Sequence, residues 1–178
     1  MSPKKKVPEP KTAKSGKIAV TQPGSVQPAA ERKAAEAELN MLINKFTPTQ
    51  LKLIGALRKS LRRRIPTAHE VVYEYRDCYV ISFSPSGHGF EGVFALRGSE
   101  KAVRLYFNQG KDLLDPEKLL QGTSQTRYIE VEGPSTLSRP AVAKLMDVAL
   151  AHNRVPFASE GGGSVTVRLT TAKKRQNR

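Results

Sequence analysis

Residues 71–107 read VVYEYRDCYVISFSPSGHGFEGVFALRGSEKAVRLYF, and apolar side chains recur in them at every second position. Such alternation is typical of β-strands that bury one face. The connections between the alternating runs are short, which favours antiparallel pairing of neighbouring strands. We therefore predict four strands, whose alternating positions are Val71, Tyr73 and Tyr75; Tyr79, Ile81 and Phe83; Phe94 and Leu96; and Val103, Leu105 and Phe107.

The sequence on either side of these strands has the period of helices. Residues 29–46 place apolar side chains on one helical face. A second helix is predicted from Pro48, and Pro66 ends it because a proline disfavours helical geometry in the residue before it. A third helix is predicted with Ser138 as its N-cap. Helices thus flank the strands on both sides in the sequence.

Three further elements complete the predicted fold. Residues 115–122 are predicted to form one helical turn, and residues 127–131 a fifth strand. Alternation at Val165, Val167 and Leu169 indicates a terminal strand. Successive strands flanked by helices predict an α+β fold, an antiparallel five- to six-stranded sheet with helices packed on one face.

The net charge of +14, from 30 Lys and Arg against 16 Asp and Glu, is concentrated at the chain ends. Residues 1–33 contribute +6 and the last six residues +4, so residues 34–172 are only mildly basic. We predict a disordered basic tail over residues 1–28, an N-terminal extension helix over 29–46, an α+β domain over 47–170 and a basic C-terminal tail over 171–178.

The second helix has a strongly basic face without any carboxylate. Cations four positions apart lie on the same side of a helix, so this face and the tails together can neutralise several phosphates. This basic surface predicts weak, nonspecific binding of nucleic acid or an acidic protein. The simpler alternative is that the basic face of the helix is merely solvated. The candidate partner-binding residues are Arg58, Lys59, Arg62, Arg63 and Arg64.

The tyrosines of the predicted strands have two alternative roles. Aromatic side chains on a sheet stack on nucleic-acid bases in some proteins, but in most strands they pack in the core or across strands. Core packing is therefore the simpler interpretation. The residues concerned are Tyr73, Tyr75, Tyr79 and Tyr106.

The sequence gives no positive sign of catalysis, a metal or a cofactor. His69, His88 and His152 are far apart and none has metal-ligand spacing to another ligand. Cys78 lies in an apolar stretch and is predicted to be a buried sheet residue. No apolar run approaches the roughly 20 residues that span a bilayer. We predict a non-enzymatic cytoplasmic protein without a membrane partner.

A resemblance to a known family rests on the segment after the fourth predicted strand. FNQGKDLLDP at 107–116, LLQG at 119–122 and RYI at 127–129 resemble the YdhG-like domains of unknown function. In that family a strand, a glycine, a Leu-x-Asp-Pro turn, a Leu-x-Gly end and an Arg-hydrophobic strand recur in this order. The resemblance spans residues 51–153.

The resemblance implies a frataxin-like α/β sandwich, and for some relatives an iron-chaperone role. A frataxin-like metal surface would place carboxylates along the helix that starts at Pro48, whereas this helix has six Lys and Arg and no Asp or Glu. Like charges repel a metal cation, so iron is not predicted. The first prediction is a YdhG-like domain whose ligand or partner the sequence does not name; carriage of a metal or small molecule is the remaining alternative.

Overall fold

The computed structural model describes residues 26–169 and confirms the α+β class. The predicted tails therefore fall largely outside the described residues. The described part forms three helices and six strands, joined in places by short 3-10 turns: α1 (Ala29–Phe46), α2 (Leu51–Arg64), β1 (His69–Glu74), β2 (Tyr79–Ser84), β3 (Phe94–Gly98), β4 (Val103–Phe107), β5 (Arg127–Glu130), α3 (Pro140–His152) and β6 (Val165–Leu169).

The six strands form one mixed sheet in the order β5-β4-β3-β2-β1-β6. Strands β1 to β5 pair antiparallel with their neighbours, as predicted. Strand β6 instead pairs parallel to β1, so the all-antiparallel prediction is wrong at this edge. The reason is the long connection through α3, which returns the chain to the far edge in the direction of β1.

All three described helices contribute to one hydrophobic core against one face of the sheet. Each large aliphatic side chain buried there stabilises the fold by about 1.5–3 kcal/mol. The central sheet positions are Val72, Ile81, Leu96 and Leu105, and they pack against Leu39 of α1, Leu57 and Leu61 of α2, and Leu145 and Met146 of α3.

The first helix is part of this fold. It buries Leu39, Leu42 and Ile43, and the residues just before it touch the sheet edge. The Gln27 side-chain amide donates to the Val165 carbonyl at 3.0 Å and accepts from the Val165 N–H at 2.9 Å. Gln27 thus takes the place of a neighbouring strand beside β6, and this end of the predicted tail is ordered.

Two local predictions are wrong. Residues 115–122 form no helical turn: Lys118 has a positive φ of 53°, and the Asp115 carboxylate accepts from the N–H groups of Leu119 and Leu120. The third helix begins at Pro140, because Ser138 belongs to a preceding 3-10 turn and its hydroxyl donates to the Ser135 carbonyl at 2.8 Å.

The described helices could cross a bilayer only if they were both long enough and apolar enough. Within residues 26–169, none of them meets both requirements for crossing a membrane.

Candidate functional site

Arg58, the first predicted partner-binding residue, is buried and not solvated. Its side chain lies between α1, α2 and β1, with 6% of the residue exposed. Nε donates to Glu70 Oε2 at 2.6 Å and Nη1 donates to Glu36 Oε2 at 2.9 Å. A buried guanidinium held by two carboxylates has no surface to offer a phosphate, so its assignment to a solvated basic face is corrected.

Arg62 shares the same two carboxylates. Nε donates to Glu70 and Nη2 donates to Glu36. We call Glu36, Arg58, Arg62 and Glu70 the ion cluster; its formal charges cancel. Burial alone would raise the pKa of Glu36, but the hydrogen bonds and charges of Arg58 and Arg62 outweigh burial and lower that pKa below its ordinary value.

The three remaining predicted residues are split between two environments. Arg64 donates from Nη1 to Asp147 of α3, which joins α2 to α3. Lys59 and Arg63 are exposed on the outer side of α2. The structure therefore does not bring the five predicted cations together into one accessible surface.

The sheet face turned away from the helices presents a second set of charged and aromatic side chains. We call this the open face and define it by two rows of residues that alternate with the core positions. The first row, from β5 to β6, is Glu130, Arg104, Arg97, Val80, Tyr73 and Arg168. The second row is Tyr128, Tyr106, Ala95, Ser82, Val71 and Thr166.

Arg97 and Arg104 lie directly opposite each other on β3 and β4. Like charges in this position repel, so the pair needs other stabilising contacts. Arg97 Nε donates to Cys78 Sγ at 3.2 Å and Nη1 donates to the Tyr106 hydroxyl at 3.3 Å. These hydrogen bonds raise the pKa of Arg97, which stays a cation under all ordinary conditions.

Arg104 packs against an aromatic ring and forms an ion pair with the one carboxylate of these two rows. Its Cζ lies 4.4 Å from the centre of the Tyr128 ring, and Nη2 donates to Glu130 Oε1 at 3.1 Å. Arg97 and Arg168 also lie in the first row, so the two rows contain three guanidiniums and one carboxylate, Glu130. The rows therefore have a formal charge of +2, whereas the ion cluster is neutral.

The tyrosines divide between core and open face. Tyr79 is fully buried on the helix side, as the core interpretation predicts. Tyr106 and Tyr128 lie side by side on the open face, with ring centres 5.2 Å apart and planes tilted by 38°. Tyr73 also lies on this face, and Tyr75, just beyond β1, is 46% exposed.

Sequence reasoning missed the arginines of the open face, together with Tyr128. A signal was present, because Arg97, Arg104 and Tyr106 occupy the polar positions of the alternation that predicts β3 and β4. In a sheet covered on one side, these positions face away from the helices.

The loop of residues 85–92 packs against one end of the open face. The Ser82 hydroxyl donates to the Gly89 carbonyl at 2.7 Å, and Arg168 Nη2 donates to the Gly87 carbonyl at 2.7 Å. A Cβ at position 89 would collide with the Tyr73 hydroxyl, so only glycine permits this close approach. The loop presents Phe90, which is 80% exposed.

An apolar cavity and a metal-binding cluster are the alternatives to the open face as a candidate site. An apolar cavity of about 190 Å³ lies between residues 114–119 and α3, lined by Leu114, Leu119, Leu145 and Val148 among others. Within residues 26–169, no group of three or more His, Cys, Asp or Glu side chains is arranged to hold a metal ion. Neither feature gathers charges as the open face does.

The fold and the open face together define an α+β domain with helices on one side of its sheet and an arginine- and tyrosine-bearing surface on the other. The chain matches no protein-family model, no curated protein and no solved structure. The resemblance to the YdhG-like domains therefore stays a prediction.

Proposed function

We propose that this protein binds single-stranded nucleic acid on its open face, without sequence preference. The observation that supports the proposal is a sheet face opposite the helices on which Arg97 and Arg104 lie beside Tyr106 and Tyr128, with Glu130 as the one carboxylate of its two rows. This is a binding function, and no chemical reaction is part of it.

The chemistry of the face suits a single strand. Guanidinium groups bind phosphates, and base faces stack on tyrosine rings and on arginine planes. Each stacked base contributes about 1–3 kcal/mol, whichever base it is. A duplex hides its base faces in its own stack, so it can use the arginines but not Tyr106 or Tyr128.

The arginines are oriented before any ligand arrives. Arg97 is held through Cys78 and Tyr106, and Arg104 through Glu130 and the Tyr128 ring. Side chains that are already ordered lose less conformational entropy on binding. Fixed guanidiniums therefore favour binding more than the same charges on mobile side chains.

The chain ends add charge to this function. Residues 1–25 have a net charge of +5 and residues 170–178 of +4. These segments join the described fold at Val26, which lies beside Gly162, and at Leu169, the last residue of β6. Their lysines and arginines contribute sequence-independent attraction to phosphates, which weakens steeply as salt rises.

The test is fluorescence anisotropy of the full chain with a labelled oligothymidylate of about 20 nucleotides. The Arg97→Gln/Arg104→Gln double variant is expected to weaken binding about 10- to 100-fold and to reduce the slope of log affinity against log salt by about 1.4, because each lost phosphate contact contributes about 0.7. The matched control is Lys59→Gln/Arg63→Gln, which removes the same charge from the exposed side of α2.

The control distinguishes the open face from the basic helix. If Lys59→Gln/Arg63→Gln loses as much affinity as Arg97→Gln/Arg104→Gln, the binding function belongs to the helix surface. Absence of binding by the unmodified chain at about 50 mM salt would reject nucleic-acid binding altogether. Thermal melting of both double variants checks that each remains folded.

A further inference from the structure

Phe90 is an exposed aromatic residue held by a rigid loop. It lies in the 3-10 turn Gly89–Glu91, with its ring centre 5.3 Å from that of His88. A phenylalanine that is 80% exposed contributes little to folding, because it removes little apolar surface from water. Its exposure leaves the ring free to contact a ligand.

Side-chain hydrogen bonds fix the loop from within. The Ser84 hydroxyl donates to the His88 carbonyl at 2.6 Å, and the His88 N–H donates to the Ser86 hydroxyl at 3.1 Å. The Ser86 hydroxyl in turn donates to the Glu91 carboxylate. With the contacts from Ser82 and Arg168, the loop is held in place beside the open face.

We infer that the Phe90 and His88 rings form a second base-stacking position, and that one nucleic-acid strand runs from Tyr128 across the arginines to Phe90. This inference rests on the proposed function. The loop that holds Phe90 packs on Ser82 of β2 and Tyr73 of β1, and Arg104 and Arg97 lie on β4 and β3, between those strands and Tyr128 on β5, where phosphates would pass.

The sheet sets the length of the bound strand. The path runs from β5 to β1, which are four strand spacings apart, or about 19 Å at about 4.8 Å each. A stacked single strand advances about 3.4 Å per nucleotide and an extended strand advances more. The open face therefore binds about four to six nucleotides, within the range of other single-strand binding surfaces.

A length series with the full chain tests the second stacking position. Oligothymidylates from about three to about 20 nucleotides are titrated against the unmodified protein and Phe90→Ala. We expect Phe90→Ala to weaken binding about 5- to 20-fold for oligomers of six or more nucleotides, about the loss of one stacked base, and to leave a trimer unaffected. Phe90→Tyr is expected to restore binding. The control is Leu114→Ala, which truncates an equally exposed apolar residue outside the path.

A direct readout uses the absence of tryptophan from the chain. Phe90→Trp introduces a single tryptophan, which can be excited at wavelengths that the five tyrosines do not absorb. Base stacking should quench this tryptophan as the oligomer is added, whereas Leu114→Trp should not respond. If long oligomers bind through Arg97 and Arg104 but Phe90→Ala binds equally well and Phe90→Trp is not quenched, the second stacking position is refuted and the proposed function stands. If no oligomer binds at low salt, both are refuted.

Discussion

The ion cluster and the open face use arginine in opposite ways. In the ion cluster, Arg58 and Arg62 meet two carboxylates and are wholly or partly buried. On the open face, three arginines lie in two rows that contain one carboxylate: Arg104 pairs with Glu130 and packs on the Tyr128 ring, and Arg97 donates to the Tyr106 hydroxyl. The number of carboxylates paired with a guanidinium decides whether that arginine remains available to a ligand. The density of cations along one helix does not decide it.

The largest expected effect is on folding. Glu70→Gln should lower the free energy of unfolding by about 3 kcal/mol, because it leaves a buried guanidinium without its inner carboxylate. The matched control is Glu130→Gln on the open face, whose partner Arg104 is partly solvated; it should cost no more than about 1 kcal/mol. Urea denaturation of both variants measures the difference, and equal costs would show that the two regions do not differ energetically.

A second, smaller effect concerns the loss of folding stability at acidic pH. Because Arg58 and Arg62 lower the pKa of Glu36 in the folded state, this carboxylate stabilises the fold above its ordinary pKa of 4.5. That stabilisation is lost as the pH falls below 4.5 and through the lower pKa of the folded state.

Glu36→Gln should therefore lower the free energy of unfolding by about 1–2 kcal/mol at neutral pH and flatten its decline between about pH 5 and 3. Glu38→Gln, an exposed change on the same helix, should leave the acid decline as it is. Urea midpoints across this pH range give the comparison. If the stability of Glu36→Gln declines with acid as steeply as that of the unmodified protein, Arg58 and Arg62 do not lower the pKa of Glu36 as described.

The smallest expected effect is a gain in affinity for nucleic acid. Glu130→Gln removes the carboxylate that shares the open face with the arginines, so affinity for oligothymidylate should rise about two- to fivefold, as expected for one exposed ion pair. Glu132→Gln makes the same change in charge beside Arg139, outside the two rows, and serves as the control. An equal gain from both would attribute the effect to net charge and not to the open face.

The fold class and most elements follow from periodicity, but the faces of β1 do not. Alternation selects Val71 and Tyr73 as the apolar side of this strand, yet Val72 and Glu70 face the helices. The Glu70 carboxylate can lie on the buried side of β1 because Arg58, twelve residues earlier, pairs with it. A contact between elements is not encoded in the local pattern, so the ion cluster was not predictable from spacing.

The candidate site was predictable only in part. Tyr79 and Tyr106 both lie in strands and look alike in sequence, but pairing places Tyr79 among the helices and Tyr106 opposite Tyr128. The predicted turn at Asp115 fails for a related reason: its carboxylate does cap backbone N–H groups, but Lys118 adopts a left-handed conformation that ends any helix.

Gln27 has a consequence for the behaviour of concentrated protein. The outer edge of a sheet offers backbone groups on which a further chain can polymerise. Gln27 fills the place beside Val165 with a side-chain amide, which has no following residue to extend the ladder. A chain that added to this edge at Val165 would first have to displace Gln27.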